Sequence, residues 1–199
     1  MLAALRDSGI PIREIILQNY RFETLAPLGE PWPYPMSLIF DSCALPEDWS
    51  ALGGMGDTLT RLHIGGEYDV SDLSWMSSLT ALSWLAIGGE DMDVESVADM
   101  DWLPGVSLSQ AGIEDLTPFT RMTNLTELCL PDNRIHDLSP LAGMPRLESL
   151  DIPNNQVEDL TPLARLSSLR HVDIAGNRVS DFSPIQRDGI EIIGRDEQR

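Results

Sequence analysis

The sequence contains no lysine, and its 13 basic residues, all arginine, stand against 32 acidic residues, for a formal net charge of −19. Such a field repels nucleic acid and anionic membrane surfaces, so the composition excludes both as partners. The stretch from Leu62 to Thr120 has no arginine or lysine. Its acids are Glu67, Asp69, Asp72, Glu90, Asp91, Asp93, Glu95, Asp99, Asp101, Glu114 and Asp115. This excess either steers a basic partner toward the chain or only keeps a solvated edge soluble.

Long apolar runs are also missing, and no charged start precedes an apolar stretch and a cleavage site. We therefore predict neither secretion nor membrane insertion and expect a cytoplasmic location. A mature domain released from a longer secreted chain would show the same features. Cysteine is scarce, and we expect Cys43 and Cys129 to lie about 20 Å apart, beyond disulfide reach. Two free thiols fit a reducing compartment.

Signatures of catalysis are absent from the sequence. It has no nucleophile elbow, no zinc-protease histidine pair, no dinucleotide fingerprint and no phosphate loop. The three histidines, His63, His136 and His171, fall in distant copies of the repeat described below. A glycine-rich stretch at 52–56 lacks the Lys-Ser/Thr of a phosphate loop, and we predict a flexible linker there. The sequence thus predicts no enzyme, no cofactor and no metal site.

What the chain does contain is a repeat with a period of 22 residues. Pro140, Pro162 and Pro184 are 22 residues apart, and each lies in a copy of one pattern. The matching positions are Leu125, Leu147 and Leu169, then Leu128, Leu150 and Val172, then Leu130, Ile152 and Ile174, then Asn133, Asn155 and Asn177, then Ile135, Val157 and Val179. Apolar residues alternate within each copy, which indicates short strands with one buried face.

The segments between the strands repeat as well. Asp-Leu-Ser-Pro-Leu at 137–141 returns in similar form at 159–163 and 181–185. A Ser or Thr followed by Pro predicts a helix start, with the Ser or Thr as its cap. About eight residues remain before the next strand, enough for a single turn or a 3₁₀ piece. We expect the asparagine of each copy to bond to backbone at the strand exit and to adopt the unusual dihedral angles there.

This L-x-x-L-x-L-x-x-N-x-L pattern resembles the leucine-rich repeat. The 22-residue period with D-L-x-P-L is similar to the short repeats of the internalins and of a repeat regulator of a protein phosphatase. The resemblance implies an α/β repeat solenoid: a leucine-rich repeat arc with a parallel β-sheet on the concave face and short 3₁₀ or irregular turns on the convex face. It also implies that the asparagines stack into a ladder that bonds the backbone of neighbouring turns.

Less regular copies continue the period toward the N-terminus, and the turns start near residues 12, 35, 59, 82, 103, 125, 147 and 169. In the first two copies Tyr20 and Cys43 stand where the later copies have asparagine. The fourth copy opens at either Leu79 or Leu82, and a repeated Ile-Gly-Gly-Glu favours Leu82. We expect a single leucine-rich repeat domain over 1–199, with an N-terminal cap at 1–11, eight repeats at 12–189, and a terminal half-repeat and tail at 190–199.

We count the opening residue of each copy, such as Leu125, as position one. We then expect the side chains at positions three and five to point outward from the sheet and not to pack in the core. At position three of the fourth copy, Trp84 is predicted to be an exposed anchor for a partner. If the register of that copy is shifted, Trp84 belongs to the core instead. Asp151 and Asp173 are neighbours on adjacent strands, which suggests a cationic partner; solvated acids without a ligand and a weak metal site with His171 are the alternatives. The predicted partner-binding residues are Arg61, His63, Trp84, Glu127, Asp132, Asp151, His171 and Asp173.

Repeat architecture and charge together predict a non-catalytic protein–protein interaction domain whose acidic surface captures a basic protein. A narrower version is an immunity protein or inhibitor that neutralises a cationic toxin. The alternative is a regulatory or scaffolding subunit that docks an enzyme on its concave face. The resemblance to bacterial internalins also allows a cell-surface adhesin. The sequence specifies neither the partner nor the oligomeric state.

Overall fold

A computed structural model describes residues 4, 6–30, 32–66, 72–90 and 92–195. The chain divides into two compact units, Met1–Met100 and Asp101–Arg199, and each unit alternates parallel strands with short return segments. The single domain over 1–199 stays a prediction. Parts of the predicted cap and tail, residues 1–3, 5 and 196–199, lie outside the described residues.

In its described residues the first unit has four parallel strands, each paired with the next in chain order. They are β1 (Glu14–Gln18), β2 (Met36–Asp41), β3 (Leu59–Gly65) and β4 (Trp84–Gly88). Alternate side chains face the core because a strand has a period of two. These form two buried columns, Ile15, Leu38, Leu62 and Leu85 in one, and Leu17, Phe40, Ile64 and Ile87 in the other. Arg61 pairs with Trp84, so the fourth copy opens at Leu82, as predicted.

Short helices follow β2, β3 and β4. Two are 3₁₀ helices, at Ser50–Met55 and Ser74–Ser78. The third is a five-residue α-helix, α1 (Val94–Ala98), slightly longer than the single turn predicted for such segments. It begins after Asp93, whose Oδ1 accepts a hydrogen bond from the backbone N–H of Ser96 at 3.1 Å. This bond satisfies one of the backbone donors that a helix start leaves unpaired.

The flexible linker predicted at 52–56 is wrong. Leu52 and Met55 are fully buried, and this stretch belongs to a 3₁₀ helix. Its glycines serve close packing, because a Cβ added to Gly54 would overlap the carbonyl oxygen of Gly29. Glycine is therefore needed here where two successive return segments approach each other, and not for conformational freedom.

The second unit has five parallel strands in its described residues. They are β5 (Gly105–Ser109), β6 (Glu127–Cys129), β7 (Ser149–Asp151), β8 (His171–Asp173) and β9 (Glu191–Ile193). The strands pair in chain order, and the predicted apolar positions again form buried columns. One contains Val106, Leu128, Leu150 and Val172, and the other contains Leu108, Leu130, Ile152 and Ile174.

Four 3₁₀ helices return the chain in the second unit, and each has its proline in the first turn, as predicted. They span Thr117–Arg121, Ser139–Gly143, Thr161–Arg165 and Ser183–Ile185. The predicted Ser or Thr cap is wrong, because no side chain caps these helices from that position. Instead, a carboxylate two residues before the Ser or Thr accepts its backbone N–H at 2.8 Å. We name these residues the turn aspartates: Asp115, Asp137, Asp159 and Asp181.

Hydrogen bonds lower the pKa of each turn aspartate below its ordinary value of 3.8. For Asp115, Asp137 and Asp159 the hydroxyl of the following Ser or Thr has the largest effect and its backbone N–H the next. For Asp181 the backbone N–H has the larger effect. Both donors favour the ionised carboxylate, so these short turns are held together by charge-assisted hydrogen bonds.

The asparagines of the last three copies bond neighbouring turns, which confirms the ladder there. Asn155 accepts the backbone N–H of Ile135 through Oδ1 at 3.0 Å and donates from Nδ2 to the carbonyl of Leu130 at 2.9 Å. Asn133 and Asn177 make the corresponding bonds one copy before and after. All three side chains are buried, so each amide replaces water as the partner of backbone groups.

The unusual dihedral angle predicted for the asparagine belongs to the residue before it. Asp132, Asn154 and Gly176 have φ of 56°, 57° and 70°, and each directly precedes a ladder asparagine. This left-handed conformation suits Asn, Asp and Gly best. At Gly176 a side chain is also impossible without movement, because a Cβ there would overlap Oδ1 of Asn154.

The first two copies fill the asparagine position differently. Cys43 is buried, and its Sγ lies 3.1 Å from the carbonyl oxygen of Leu17, so a thiol takes the inward place of the amide. Tyr20 is 51% exposed and points outward. Both Cys43 and Cys129 are free thiols, as predicted.

Candidate functional site

One candidate site is the outward face of β6 to β9, which we name the acidic strand face. Position three of successive strands holds Glu127, Ser149, His171 and Glu191, and position five holds Cys129, Asp151, Asp173 and Ile193. The parallel register brings together the predicted residues Glu127, Asp151, His171 and Asp173. Glu191 joins them from the closing half-repeat, where sequence analysis noted only isoleucines.

His171 lies between two carboxylates. Its Nε2 is 3.1 Å from Oδ1 of Asp151, and its Nδ1 is 3.4 Å from Oε2 of Glu191. A neutral imidazole donates from one nitrogen only, whereas a protonated ring donates from both. The arrangement therefore gives the ring two acceptors on neighbouring strands, and the three side chains form one cross-strand cluster.

Asp151 is a half-buried carboxylate on this face, beside His171 and Asp173. Burial raises the pKa of its carboxyl above 3.8, attraction from His171 opposes that rise, and repulsion from Asp173 adds to it. Its Oδ1 is buried and has no aligned hydrogen-bond donor in the described part of the chain, despite the nearby ring. Asp173 is better satisfied, since its Oδ1 accepts the backbone N–H of Ala175 at 3.0 Å. A half-buried carboxylate beside a like charge is unfavourable until a cation approaches it.

Cys129 occupies the same face between Ser107 and Asp151. Burial raises the pKa of its thiol, a hydrogen bond with Ser107 lowers it, and the charges of Asp151 and Asp173 raise it further. A thiol becomes a good nucleophile when its pKa is lowered, so this environment works against covalent catalysis by Cys129. Among the described residues, no three ligand-type side chains converge in a way that suits a metal ion.

Asp132, also predicted to bind a partner, lies at the strand exit and not on the outward face. Its φ of 56° places it in the left-handed turn, and its Oδ1 accepts a hydrogen bond from Nδ2 of Asn154 at 2.9 Å. The side chain is exposed, but this contact links two successive turns. Asp132 therefore has a structural role in the repeat.

The second candidate site is the outward face of β1 to β4, which we name the arginine–tryptophan face. Position three holds Glu14, Ser37, Arg61 and Trp84, and position five holds Ile16, Ile39, His63 and Ala86. The guanidinium carbon of Arg61 lies 5.6 Å from the ring centroid of Trp84, within the range of a cation–π contact. Trp84 is half-buried, and Ile16 is 52% exposed. The predicted residues Arg61, His63 and Trp84 thus form one group on β3 and β4.

The repeat signature is independently present in known proteins. A family model described as Leucine Rich repeats (2 copies) matches residues 123–165 and 145–187. Internalin C2 from Listeria monocytogenes has a similar solved structure, with a TM-score of 0.67 and 23% identity over 87% of this chain and 76% of that one. Residues 123–187 of this chain therefore consist of leucine-rich repeats. Among curated proteins, none matches its sequence.

Two further solved structures share the leucine-rich repeat fold. An internalin (inlF) from Listeria monocytogenes has a TM-score of 0.65 and 27% identity over 85% of this chain and 56% of that one. A leucine-rich repeat protein from Leptospira interrogans has a TM-score of 0.63 and 16% identity over 74% of this chain and 39% of that one. The chain therefore spans about half and two fifths of the length of these two proteins. The predicted fold class is confirmed, and leucine-rich repeat folds are protein–protein interaction domains.

Sequence analysis missed three functional or structural features. Glu191 was overlooked because the closing half-repeat breaks the 22-residue period, and the turn aspartates because Ser and Thr are the more familiar caps. The left-handed position was assigned one residue too late. A signal did exist for the aspartates, since Asp stands two residues before Ser-Pro or Thr-Pro in four copies.

Within the described residues, no helix is both long and apolar enough to cross a membrane.

Proposed function

We propose that this leucine-rich repeat protein is a non-catalytic interaction domain whose acidic strand face captures a basic protein. The observation that carries the proposal is the pair Asp151 and Asp173, adjacent on β7 and β8, of which Asp151 is half-buried and poorly compensated. An arginine or lysine of a partner would lie against both carboxylates and remove their repulsion. Glu127 and Glu191 extend the negative face on either side.

Net charge supports the same proposal. With 32 acids against 13 arginines, the chain attracts basic proteins over distances longer than a contact, and salt weakens that attraction. Capture of a basic partner should therefore be fast at low salt and should slow steeply as salt rises. Nucleic acid and anionic membranes are repelled by the same field and are not proposed as partners.

The test begins with capture of partners from the lysate of the source organism at low salt, elution in a salt gradient and identification by mass. The identified basic protein is then titrated against Asp151→Asn/Asp173→Asn and, as a control of equal charge change, Asp137→Asn/Asp159→Asn. We expect the first double variant to weaken binding more than about tenfold, since close charge pairs across interfaces couple strongly. We expect the control to change affinity much less. Equal effects of the two double variants would overturn the assignment to the acidic strand face.

A narrower form of the proposal is an immunity protein or inhibitor of a cationic toxin in the bacterial cytoplasm. The acidic strand face would cover the basic surface with which such a toxin holds its own anionic substrate. The test is co-expression with the product of the adjacent gene in a heterologous bacterium. Growth rescue that disappears in Asp151→Arg/Asp173→Arg would support the role. No rescue, or no toxicity of the neighbour, would limit the function to partner binding.

A second candidate function is that of a regulatory or scaffolding subunit that docks an enzyme. The observation that favours it is the arginine–tryptophan face, where Trp84 and the exposed Ile16 offer apolar contact area. Aromatic anchors dominate many interfaces, and their contribution depends little on salt. A partner that resists elution by salt and that Trp84→Ala releases would favour this function. A partner that leaves with salt and ignores Trp84→Ala would speak against it.

A further inference from the structure

Among the described residues of this acidic chain, Arg61 has no carboxylate partner. Three ion pairs between arginine and a carboxylate occur among the described residues, and none includes Arg61. On its own face the nearest acid in position three is Glu14, two strands away on β1. Asp41, at the end of β2, already accepts a hydrogen bond from Nε2 of Gln18 at 2.9 Å. In a chain with 32 acids, no ion pair joins this arginine to any acid that the structure describes.

The contact with Trp84 leaves the hydrogen-bonding edge of Arg61 available. The guanidinium carbon lies over the ring of Trp84, 5.6 Å from its centroid. The five N–H donors of a guanidinium form a planar fork that matches the two oxygens of a carboxylate. Contact with the ring also limits the motion of the side chain, so less entropy is lost when a ligand binds. The pair is therefore a preorganised receptor for one carboxylate.

Apolar side chains lie next to this receptor. Ile39 is half-buried and Ala86 is buried on either side of His63, and Ile16 continues the row on β1. Positions three and five of a strand are about 7 Å apart and neighbouring strands are about 4.8 Å apart, so Ile39, on the strand next to that of Arg61, lies about 8 Å from Arg61 along the sheet. An extended peptide places residues i and i+2 about 7 Å apart, which is close to this separation. The face thus offers one cationic contact and one apolar contact at a defined distance.

We propose that the arginine–tryptophan face binds a protein segment that carries a carboxylate and, about 7 Å away, an aromatic or aliphatic side chain. The segment is acidic, opposite in sign to the partner of the acidic strand face, because the charge of Arg61 is what it must complement. The inference rests on the second candidate function and supplies the chemistry of its ligand. The carboxylate binds the edge of the guanidinium, and the apolar side chain lies over Ile39.

The test is selection of random twelve-residue peptides displayed on phage against the whole immobilised protein at physiological salt. Enriched peptides are synthesised, and their affinities are measured against the wild type, Arg61→Gln and Trp84→Ala. Arg178→Gln is the matched control, because it removes an exposed arginine of the second unit. Arg61→Lys keeps the charge but loses the planar fork and provides a second variant at the same position.

We expect peptides with Asp or Glu two residues from an aromatic or aliphatic residue, and about tenfold weaker binding to Arg61→Gln, the loss of a charge-assisted hydrogen bond. Arg61→Lys should be intermediate, and Arg178→Gln should bind like the wild type. Peptides that depend on Trp84 but lack an acid would overturn the inference and leave the docking function standing. If the binding of no peptide depends on either Arg61 or Trp84, both the inference and the docking function are overturned. Basic peptides that depend only on Asp151 and Asp173 would also overturn the inference, while supporting capture at the acidic strand face.

Discussion

Replacement of Asn155 by alanine tests whether the asparagine ladder holds the second unit together. The amide of Asn155 links two successive copies, because it accepts from Ile135 and donates to Leu130 of one copy while its own backbone belongs to the next. The side chain is 6% exposed, so water does not easily replace it. Alanine would leave the N–H of Ile135 and the carbonyl of Leu130 buried without partners.

The size of the effect follows from those two groups. A buried backbone donor or acceptor left without a hydrogen bond costs about 1–3 kcal/mol, so the two together cost about 4 kcal/mol. This is a large part of the stability of a typical domain, about 5–15 kcal/mol. Asn155→Asp should be about as harmful, because a carboxylate still accepts from Ile135 but cannot donate to Leu130. Gln156→Ala is the control, since it removes an exposed amide from the neighbouring residue and should cost less than about 0.5 kcal/mol.

The measurement is urea unfolding followed by far-ultraviolet circular dichroism, with the free energy of unfolding taken from the midpoint and the slope. An unchanged slope with a lower midpoint would place the effect in the folded state. A loss below about 1 kcal/mol in Asn155→Ala, or a similar loss in Gln156→Ala, would refute the account. The ladder would then be a consequence of the fold and not a major source of its stability.

Three further predictions concern stability. Gly54→Ala should lower the melting temperature markedly, because its Cβ would overlap the carbonyl oxygen of Gly29; an unchanged melting temperature would mean that the return segments are free to separate. The turn aspartates should stabilise the fold above about pH 4 and lose that contribution as pH falls below 3.8, because hydrogen bonds lower their pKa in the folded state. Acid titrations of the free energy of unfolding should accordingly be flatter in Asp137→Asn/Asp159→Asn, and identical curves would contradict this. The pKa of Asp151 is raised in the folded state, so its ionised carboxylate destabilises the fold, in contrast to the turn aspartates. Asp151→Asn should therefore raise the melting temperature at pH 7, and this gain should shrink as pH falls toward 4. A lower melting temperature at pH 7 would show that attraction to His171 outweighs burial.

Much of the candidate site was predictable because a repeat converts sequence spacing into register. Asp151 and Asp173 are 22 residues apart, and Trp84 stands 23 residues after Arg61, so adjacent strands bring each pair together. The contacts within each group were not predictable. The direction of a side chain on an open face depends on its neighbours, and the stacking of Arg61 on Trp84 required coordinates.

The local errors about the glycines and the asparagine have one physical origin, which is that neighbouring copies are in direct contact with each other. The glycines at 52–56 suggested flexibility, but the close approach of the next return segment requires them. The dihedral constraint assigned to Asn155 belongs to Asn154, because Asn155 is committed to the backbone of the preceding copy. A sequence pattern describes one copy at a time and does not show which atom of the adjacent copy occupies the space.

By itself the sequence determined the period, the strand positions, the buried columns and the excess of acid, because each depends only on residue type and spacing. Tertiary structure alone decided which acceptors cap the turns, where the left-handed residue lies, and how His171 is shared between Asp151 and Glu191. The contacts of His171 depend on distances of about 3 Å between side chains that are some 20 residues apart in the chain. Residue spacing specifies which strands are neighbours, but only packing specifies which atoms meet.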